Sequence, residues 1–375
     1  MTDTLATASK EAQPINGHCT ALDRTSEVRT TRENRTGKST SDRGPAFSYI
    51  PAIASLCIGG GSTAVTQGAR NSLTMKTLLD QSHEQIRAGS FKLGFGSLIA
   101  GLTGIRSTSA PAEWKELINQ VCRTHPICAA MQLDPFTRRS LTKPRGYAGD
   151  AVMMDMIYRR DSDELNGNEL GQFIFRHTTG AGQEARAVRY RRTLIAKMVD
   201  ELAEQTDKAR ILSIASGHLR EAELSKALKE GAVDEWLALD QDPESLQECA
   251  RSYGNGPVRV MKTSVRHILA GKLDVGQFDL VYSAGLFDYL SKPVAEKLTG
   301  RMLSLLKPNG KLLIANFLEG LENAAYMEAF MGWNLIYRTE EDMKGLLGTL
   351  DASSAGSHST FIDPIRAVAY ATAVR

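Results

Sequence analysis

The chain has 375 residues, 42% hydrophobic and 23% charged, with a net charge of +2. That length allows two or three domains around large cores, and the near-balance of charge gives no overall basic field to draw nucleic acid. Five cysteines with no C-x-x-C pair exclude a disulfide scaffold or zinc finger.

Residues 1–30 lack the apolar core of a signal peptide. The longest apolar stretch, Ala46 to Ile58, is interrupted by Pro51 and falls short of the roughly 20 residues of a spanning helix. A cytoplasmic protein without membrane insertion is expected.

Residues 1–45 are rich in Thr, Ser, Arg and Glu and show neither helical nor strand period. They cannot bury enough surface to offset chain entropy, so they read as a disordered tail. From 46 to 207 the period is helical. Helical stretches are predicted over Asn71 to Ile105, Ala112 to Met131, Leu165 to Phe175 and Arg186 to Gln205. The last carries Arg186, Arg189, Arg191 and Arg192 beside its apolar residues.

Within this half, Lys143-Pro-Arg-Gly-Tyr-Ala-Gly-Asp150 packs two glycines, a proline and four polar groups into one loop, the composition of a ligand site. Asp150 reads as the cap of a following helix and the Met-Met-Asp-Met stripe after it as core. Arg145 and Tyr147 read as functional.

From residue 208 onward the texture changes to apolar β-type runs alternating with helices. Strands are predicted at Arg210–Ala215, Glu235–Asp240, Val258–Thr263, Phe278–Ser283 and Lys311–Phe317, with two terminal ones near Ser357–Ile362 and Val368–Ala373. Helices are predicted at Arg220–Gly231, Pro243–Tyr253, Ser264–Leu269, Pro293–Leu306 and Glu340–Leu347. This alternation implies right-handed crossovers and a parallel, doubly wound α/β sheet. Ligands then bind beyond the carboxyl ends of the strands.

The residues at those ends are Ala215, Ser216 and Gly217 after the first strand, then Asp240 with Gln241 beside it after the second. Ser264 and Val265 follow the third strand, and Ser283 and Ala284 the fourth. Asp240 stands at the spacing of a carboxylate that accepts both hydroxyls of a ribose, because Asp242-Pro243 supplies its own helix start. A hydroxyl or N–H near Ser264 suits an adenine edge, with Val265 against its face. The full G-x-G-x-x-G is absent. Its absence counts against a nicotinamide dehydrogenase.

The succession Ile211–Gly217, Asp240, Ser264-Val265, Phe278–Ser283 and "LLKPNGKLLI" resembles the class I S-adenosylmethionine-dependent methyltransferases over about residues 210–375. The resemblance implies a Rossmann-like, seven-stranded sheet whose last strand is antiparallel, with S-adenosylmethionine as cofactor. Ser216-Gly217-His218 departs from that family's usual G-x-G. More narrowly, "KPRGYAGDAVMMDMIY", "AVRYRR" and "SIASGHLRE" resemble the bacterial 3-hydroxypalmitic acid methyl ester biosynthesis enzymes over about 110–320. This implies a helical N-terminal lid and substrate domain (46–207) over a cofactor domain (208–375).

The expected reaction is methyl transfer to a small-molecule acceptor, on a carboxylate or hydroxyl of a fatty acid or specialised metabolite. Arg145, Tyr147 and Tyr289 are the candidate acceptor-side residues, with Arg189 a second guanidinium able to hold a carboxylate oxygen. No histidine shows metal-ligand spacing, so no metal is expected. His218 reads as structural rather than as a base. Two alternatives stay open: cyclisation of S-adenosylmethionine to azetidine-2-carboxylate with release of methylthioadenosine, and a non-catalytic binding protein. The arginines of 186–192 leave nucleic acid as a weaker acceptor class.

Overall fold

The structure, a computed structural model, describes residues 67–165, 167–348 and 356–375. The expected tail (1–45) and the apolar stretch 46–58 lie outside them. Helix α1 (Gln67–Arg87) and helix α2 (Phe91–Thr108) replace the single helical stretch expected to Ile105. The break falls at Ala88–Ser90, where Gly89 takes φ +81° and the Ser90 N–H closes back onto the Gln85 carbonyl. This is a left-handed helix stop that periodicity does not register.

The two helices pack closely because α2 offers no side chain at Gly94. A Cβ there would lie 2.8 Å from the Ser82 carbonyl oxygen and 2.8 Å from Ile86.

The stretch expected as one helix to Met131 is α3 (Pro111–Leu117), a π-helical turn (Ile118–Cys122) and α4 (Ile127–Met131). Pro126 ends its continuity. Helix α5 (Pro135–Thr142), unforeseen, starts on Asp134, whose carboxylate accepts the N–H groups of Phe136 and Thr137. Asp150 caps α6 (Ala151–Arg159) through the Met153 N–H. Next come α7 (Glu169–Phe175), a π-helical turn (Arg176–Ala181) and the long α8 (Gln183–Gln205).

The sheet has seven strands in the order β3-β2-β1-β4-β5-β7-β6: β1 (Ala209–Ile214), β2 (Val233–Asp240), β3 (Val258–Lys262), β4 (Phe278–Ser283), β5 (Leu306–Phe317), β6 (Ser357–Ile362) and β7 (Val368–Val374). Strands β1 to β5 run parallel, and β7 lies antiparallel between β5 and β6. This is the Rossmann-like sheet of class I methyltransferases, preceded by a bundle of helices. Lys307–Gly310 forms a bulge at the start of β5, so Phe278 pairs Leu306 and Leu280 pairs Lys311.

The expected helix over Arg220–Gly231 is instead a 3₁₀ turn (Arg220–Glu223) and a single helical turn, α9 (Lys226–Lys229). Ser225 restarts the helix by accepting the Leu228 N–H. The other connections are α10 (Pro243–Tyr253), α11 (Val265–Leu269), α12 (Lys292–Ser304), α13 (Ala324–Phe330) and α14 (Glu340–Gly348). Helix α13, also unforeseen, is buried along its whole length. That uniform burial removes the amphipathic period by which helices are recognised.

Strand alternation divides the core. Ile211, Trp236, Leu280, Tyr282 and Leu313 face the N-terminal helices and α13. Leu212, Leu239, Val281, Leu312 and Ile314 face α12 and α14. The helices and sheet belong to one compact unit. Among the described residues no helix is long and apolar enough to cross a membrane.

Gly94 gives a test in which packing and propensity have opposite signs. Alanine is the better helix former, yet Gly94→Ala should destabilise by about 1–3 kcal/mol through overpacking. Urea unfolding of the two proteins reads the difference, and a stabilised variant would show that the helix pair relaxes freely.

A cofactor cleft between the sheet and the helices

The carboxyl ends of β1, β2 and β4 meet the loop 145–150, α6 and α8 around a cavity of about 370 Å³, within the roughly 300–1,000 Å³ of small-molecule sites. The turn after β1 forms one wall. In it, Ala215, Gly217 and Leu219 all take left-handed conformations, with φ of +57°, +55° and +52°. Every second residue is therefore inverted. Two of the three are not glycine, at about 1–2 kcal/mol each.

Asp240 stands opposite, at the end of β2. It is buried, and its carboxylate accepts the Gly217 N–H (2.8 Å) and the Asp242 N–H (2.9 Å). Burial raises its pKa against the pull of these bonds. The Gln241 N–H also draws on it, and of the roughly four acceptor sites of a carboxylate at least one stays available. Asp242 caps α10 through the Glu244 N–H, which leaves the cap position to it and not to Asp240.

Most of the sequence-selected residues converge here. Tyr147, Ala215, Ser216, Gly217, Asp240, Gln241, Val265, Ala284 and Tyr289 line the cavity. Three do not. The Ser264 hydroxyl pairs with His267 Nδ1 (2.9 Å) and Thr263 lines the wall instead. The Ser283 hydroxyl donates to the Ile214 carbonyl (3.0 Å), stitching β4 to β1. Arg145 is turned away and committed: its Nη1 donates to Asp242 Oδ2 (2.9 Å), Ser245 Oγ (3.0 Å) and His218 Nε2 (3.3 Å). Arg189 likewise binds the backbone carbonyls of Ile157, Thr179 and Gly180.

A guanidinium can only donate, so His218 Nε2 is an acceptor and its proton sits on Nδ1. That proton points to Asp155 Oδ2 at 3.0 Å. Arg220 adds Nε and Nη2 bonds to Asp155, at 2.8 and 2.7 Å. Burial alone would raise the Asp155 pKa, but the bonds from Arg220 and His218 hold it well below the ordinary carboxylate range.

Much of the remaining lining is apolar: Met154, Tyr158, Val188, Phe317, Trp333 and Leu335. Tyr289 keeps 42% of its surface exposed, yet its Oη is enclosed. It donates to the Ala148 carbonyl (3.2 Å) and accepts from Trp333 Nε1 (2.7 Å). A Cβ on Gly149 would lie 2.5 Å from the Trp333 ring and 2.7 Å from Tyr289 Oη, so only glycine lets the loop meet this pair. Tyr147 makes no hydrogen bond to the described residues. Burial raises its pKa, and so do the carboxylates of Asp240, Asp242 and Asp150.

Among the cavity residues that the sequence reading did not select are Arg191, Glu221 and Asp288. Glu221 is buried against Tyr282 Oη, and burial raises its pKa. Asp288 accepts the Phe317 N–H at 2.7 Å. Burial pushes its carboxyl up to about 7, against the pull of that bond and of Arg191 and Arg338. For Arg191 a signal existed. It occupies a position in the apolar stripe of α8 that runs through Val188, Ile195, Val199 and Leu202.

Comparison with known proteins agrees with this geometry. Residues 211–310 match the family described as a methyltransferase domain, which spans β1 to the first part of β5. No curated protein matches the chain in sequence. Among solved structures, a possible exported protein from Bordetella parapertussis shares the fold, at 14% identity and TM-score 0.52, over 83% of this chain and 99% of that one. The N-methyltransferase NodS from Bradyrhizobium japonicum, complexed with S-adenosylhomocysteine, aligns at 14% identity and TM-score 0.37, over 50% of this chain and 87% of that one. Magnesium protoporphyrin IX methyltransferase from Synechocystis aligns at 13% identity and TM-score 0.38, over 60% and 98%. The family match places a methyltransferase domain over residues 211–310, within the Rossmann-like sheet and with S-adenosylmethionine as its cofactor.

Asp288 makes stability depend on pH in a defined direction. Its folded value of about 7 stands above the ordinary 3.8, so the folded chain binds this proton more tightly. The resulting stabilisation is full below about pH 4 and is lost as pH rises through about 7. Asp288→Asn removes the titration. Relative to wild type, the variant should gain thermal stability between about pH 4 and pH 8; a constant offset across that range would refute the assignment.

Proposed function

We propose that this protein methylates a carboxylate or hydroxyl of a small, largely apolar molecule such as a fatty acid or specialised metabolite. The observation that carries the reading is one cavity shared by two surfaces: the inverted turn 215–219 with Asp240, and the apolar wall of Met154, Val188, Phe317 and Trp333. The residues fit the cofactor. Ser216 Oγ is buried without a partner beside the turn, Asp240 keeps acceptor capacity for a ribose hydroxyl, and Val265 and Ile268 supply an apolar face for a base. When bound, S-adenosylmethionine supplies a sulfonium methyl group open to in-line displacement.

The chain's own residues bind, orient and exclude water. Arg145 and Asp155 hold the helical wall against the β1 turn, so the two surfaces stay in register. Trp333 and Tyr289 close the end of the cavity beside Gly149, keeping water from the reacting centre. A carboxylate nucleophile is already ionised at neutral pH. A hydroxyl must lose a proton, and Asp288, which lines the cavity and whose second oxygen makes no hydrogen bond to the described residues, is a group suited to receive it.

Asp288 also favours a second reading, the cyclisation of the cofactor to azetidine-2-carboxylate, because the attacking amine there must be neutral. The two readings differ in products. Incubation with S-adenosylmethionine alone should release no methylthioadenosine if the enzyme is a methyltransferase, whereas its stoichiometric release would establish cyclisation.

Asp240→Ala should weaken S-adenosylhomocysteine binding by about 1.5–3 kcal/mol, roughly tenfold to 150-fold. Calorimetry on the folded variant reads this, and unchanged affinity would overturn the ribose-clamp role.

A further inference from the structure

Helix α8 turns Ala185, Val188, Ile195, Val199 and Leu202 to the interior, and one charged side chain stands in that stripe. Arg191 keeps only 6% of its surface exposed and lines the cavity. The neighbouring arginines of the helix are committed: Arg189 to backbone carbonyls, Arg192 to the Arg220 carbonyl and the Glu223 carboxylate. Arg191 gives one hydrogen bond, from Nη1 to the Ala284 carbonyl just beyond β4. Among the described residues it forms no ion pair.

Glu221 and Asp288 attract it through space from other elements, but neither carboxylate lies within ion-pair distance of it. Glu221, after β1, holds Tyr282 Oη, and Asp288, after β4, holds the Phe317 N–H. Burial moves both toward their protonated forms. A guanidinium stays charged in any protein environment, and a buried charge without an anion is strongly disfavoured. Its remaining N–H donors form the fork that matches a carboxylate.

We propose that Arg191 is the carboxylate anchor of this cavity and receives the carboxylate of a small-molecule ligand. The assignment rests on the methyltransferase reading above. Two ligands of that reading carry the required group: the cofactor, through its amino-acid end, and the acceptor. Both meet the guanidinium by the same chemistry.

The test uses the full chain, its Arg191→Met and Arg191→Lys variants, and titration calorimetry with four probes. S-adenosylhomocysteine carries the amino-acid carboxylate and methylthioadenosine lacks it. Octanoate and octanol, titrated with S-adenosylhomocysteine present, differ only in the anionic head. If the cofactor's carboxylate sits on Arg191, Arg191→Met weakens S-adenosylhomocysteine at least tenfold and leaves methylthioadenosine within twofold.

If the acceptor's carboxylate sits there, both adenosine ligands are unaffected and the preference for octanoate over octanol disappears. Either result supports the anchor, and Arg191→Lys should restore part of the lost affinity. Equal loss for S-adenosylhomocysteine and methylthioadenosine would mark Arg191 as structural and overturn the proposal, as would no change with any probe. Should Arg191→Met fail to fold, Arg191→Lys is read by the same comparisons. A wild-type protein that binds neither adenosine ligand would overturn the methyltransferase reading and the anchor together.

Discussion

The Asp155 carboxylate is the joint on which the cleft depends. It lies on α6, in the helical half, and receives His218 and Arg220 from the turn after β1. Arg220 reaches on to Glu248 of α10 (2.8 Å), and Arg145 ties the start of the same segment to Asp242 and Ser245. Two clips ten residues apart thus fix one helix against one turn. Buried ion pairs are weak contributors to net stability, since desolvation offsets most of the attraction. Breaking one, however, strands its partner at about 3–5 kcal/mol, so the effect is to forbid other registers.

That constraint explains how the strained turn persists. Ala215 and Leu219 hold left-handed conformations that neither residue favours, and such strain survives only where the surroundings over-determine it. Here the surroundings are specific. Asp240 grips the Gly217 N–H, His218 and Arg220 are held by Asp155, and Leu219 is fully buried. The short 3₁₀ turn that follows, in place of a long helix, lets both Arg220 and Glu221 point inward.

Much of the fold was legible because its signals are local. Buried parallel strands read as apolar runs, as Phe278–Ser283 does, and the exposed antiparallel strand Ser357–Ile362 and the helix Pro243–Tyr253 also coincide with their expected bounds. Where signals were weak, the reading failed for identifiable reasons. Helix α13 is buried all round, its one charge Glu328 included, and shows no period. The first helix runs into the second without a proline, and only Gly89 marks the boundary. In the site, residues after strand ends could be chosen by topology, so Ala215 to Gly217, Asp240 and Ala284 were found. Ser264 and Ser283 were chosen by the same rule, but their hydroxyls turn to His267 and Ile214. Position along the chain does not fix where a side chain points.

The sequence by itself determined the alternation of strands and helices and the strand ends to inspect for a ligand, because hydrophobic period and helix caps are properties of neighbouring residues. Which arginine faces the cavity was decided only in three dimensions. Arg145 looked the best placed and is spent on Asp242, whereas Arg191 looked like one of four on a basic helix. The difference arises from partners more than ninety residues away, in the loops after β2 and β4. A buried charge is directed by the groups that can satisfy it, and only folding brings those groups together.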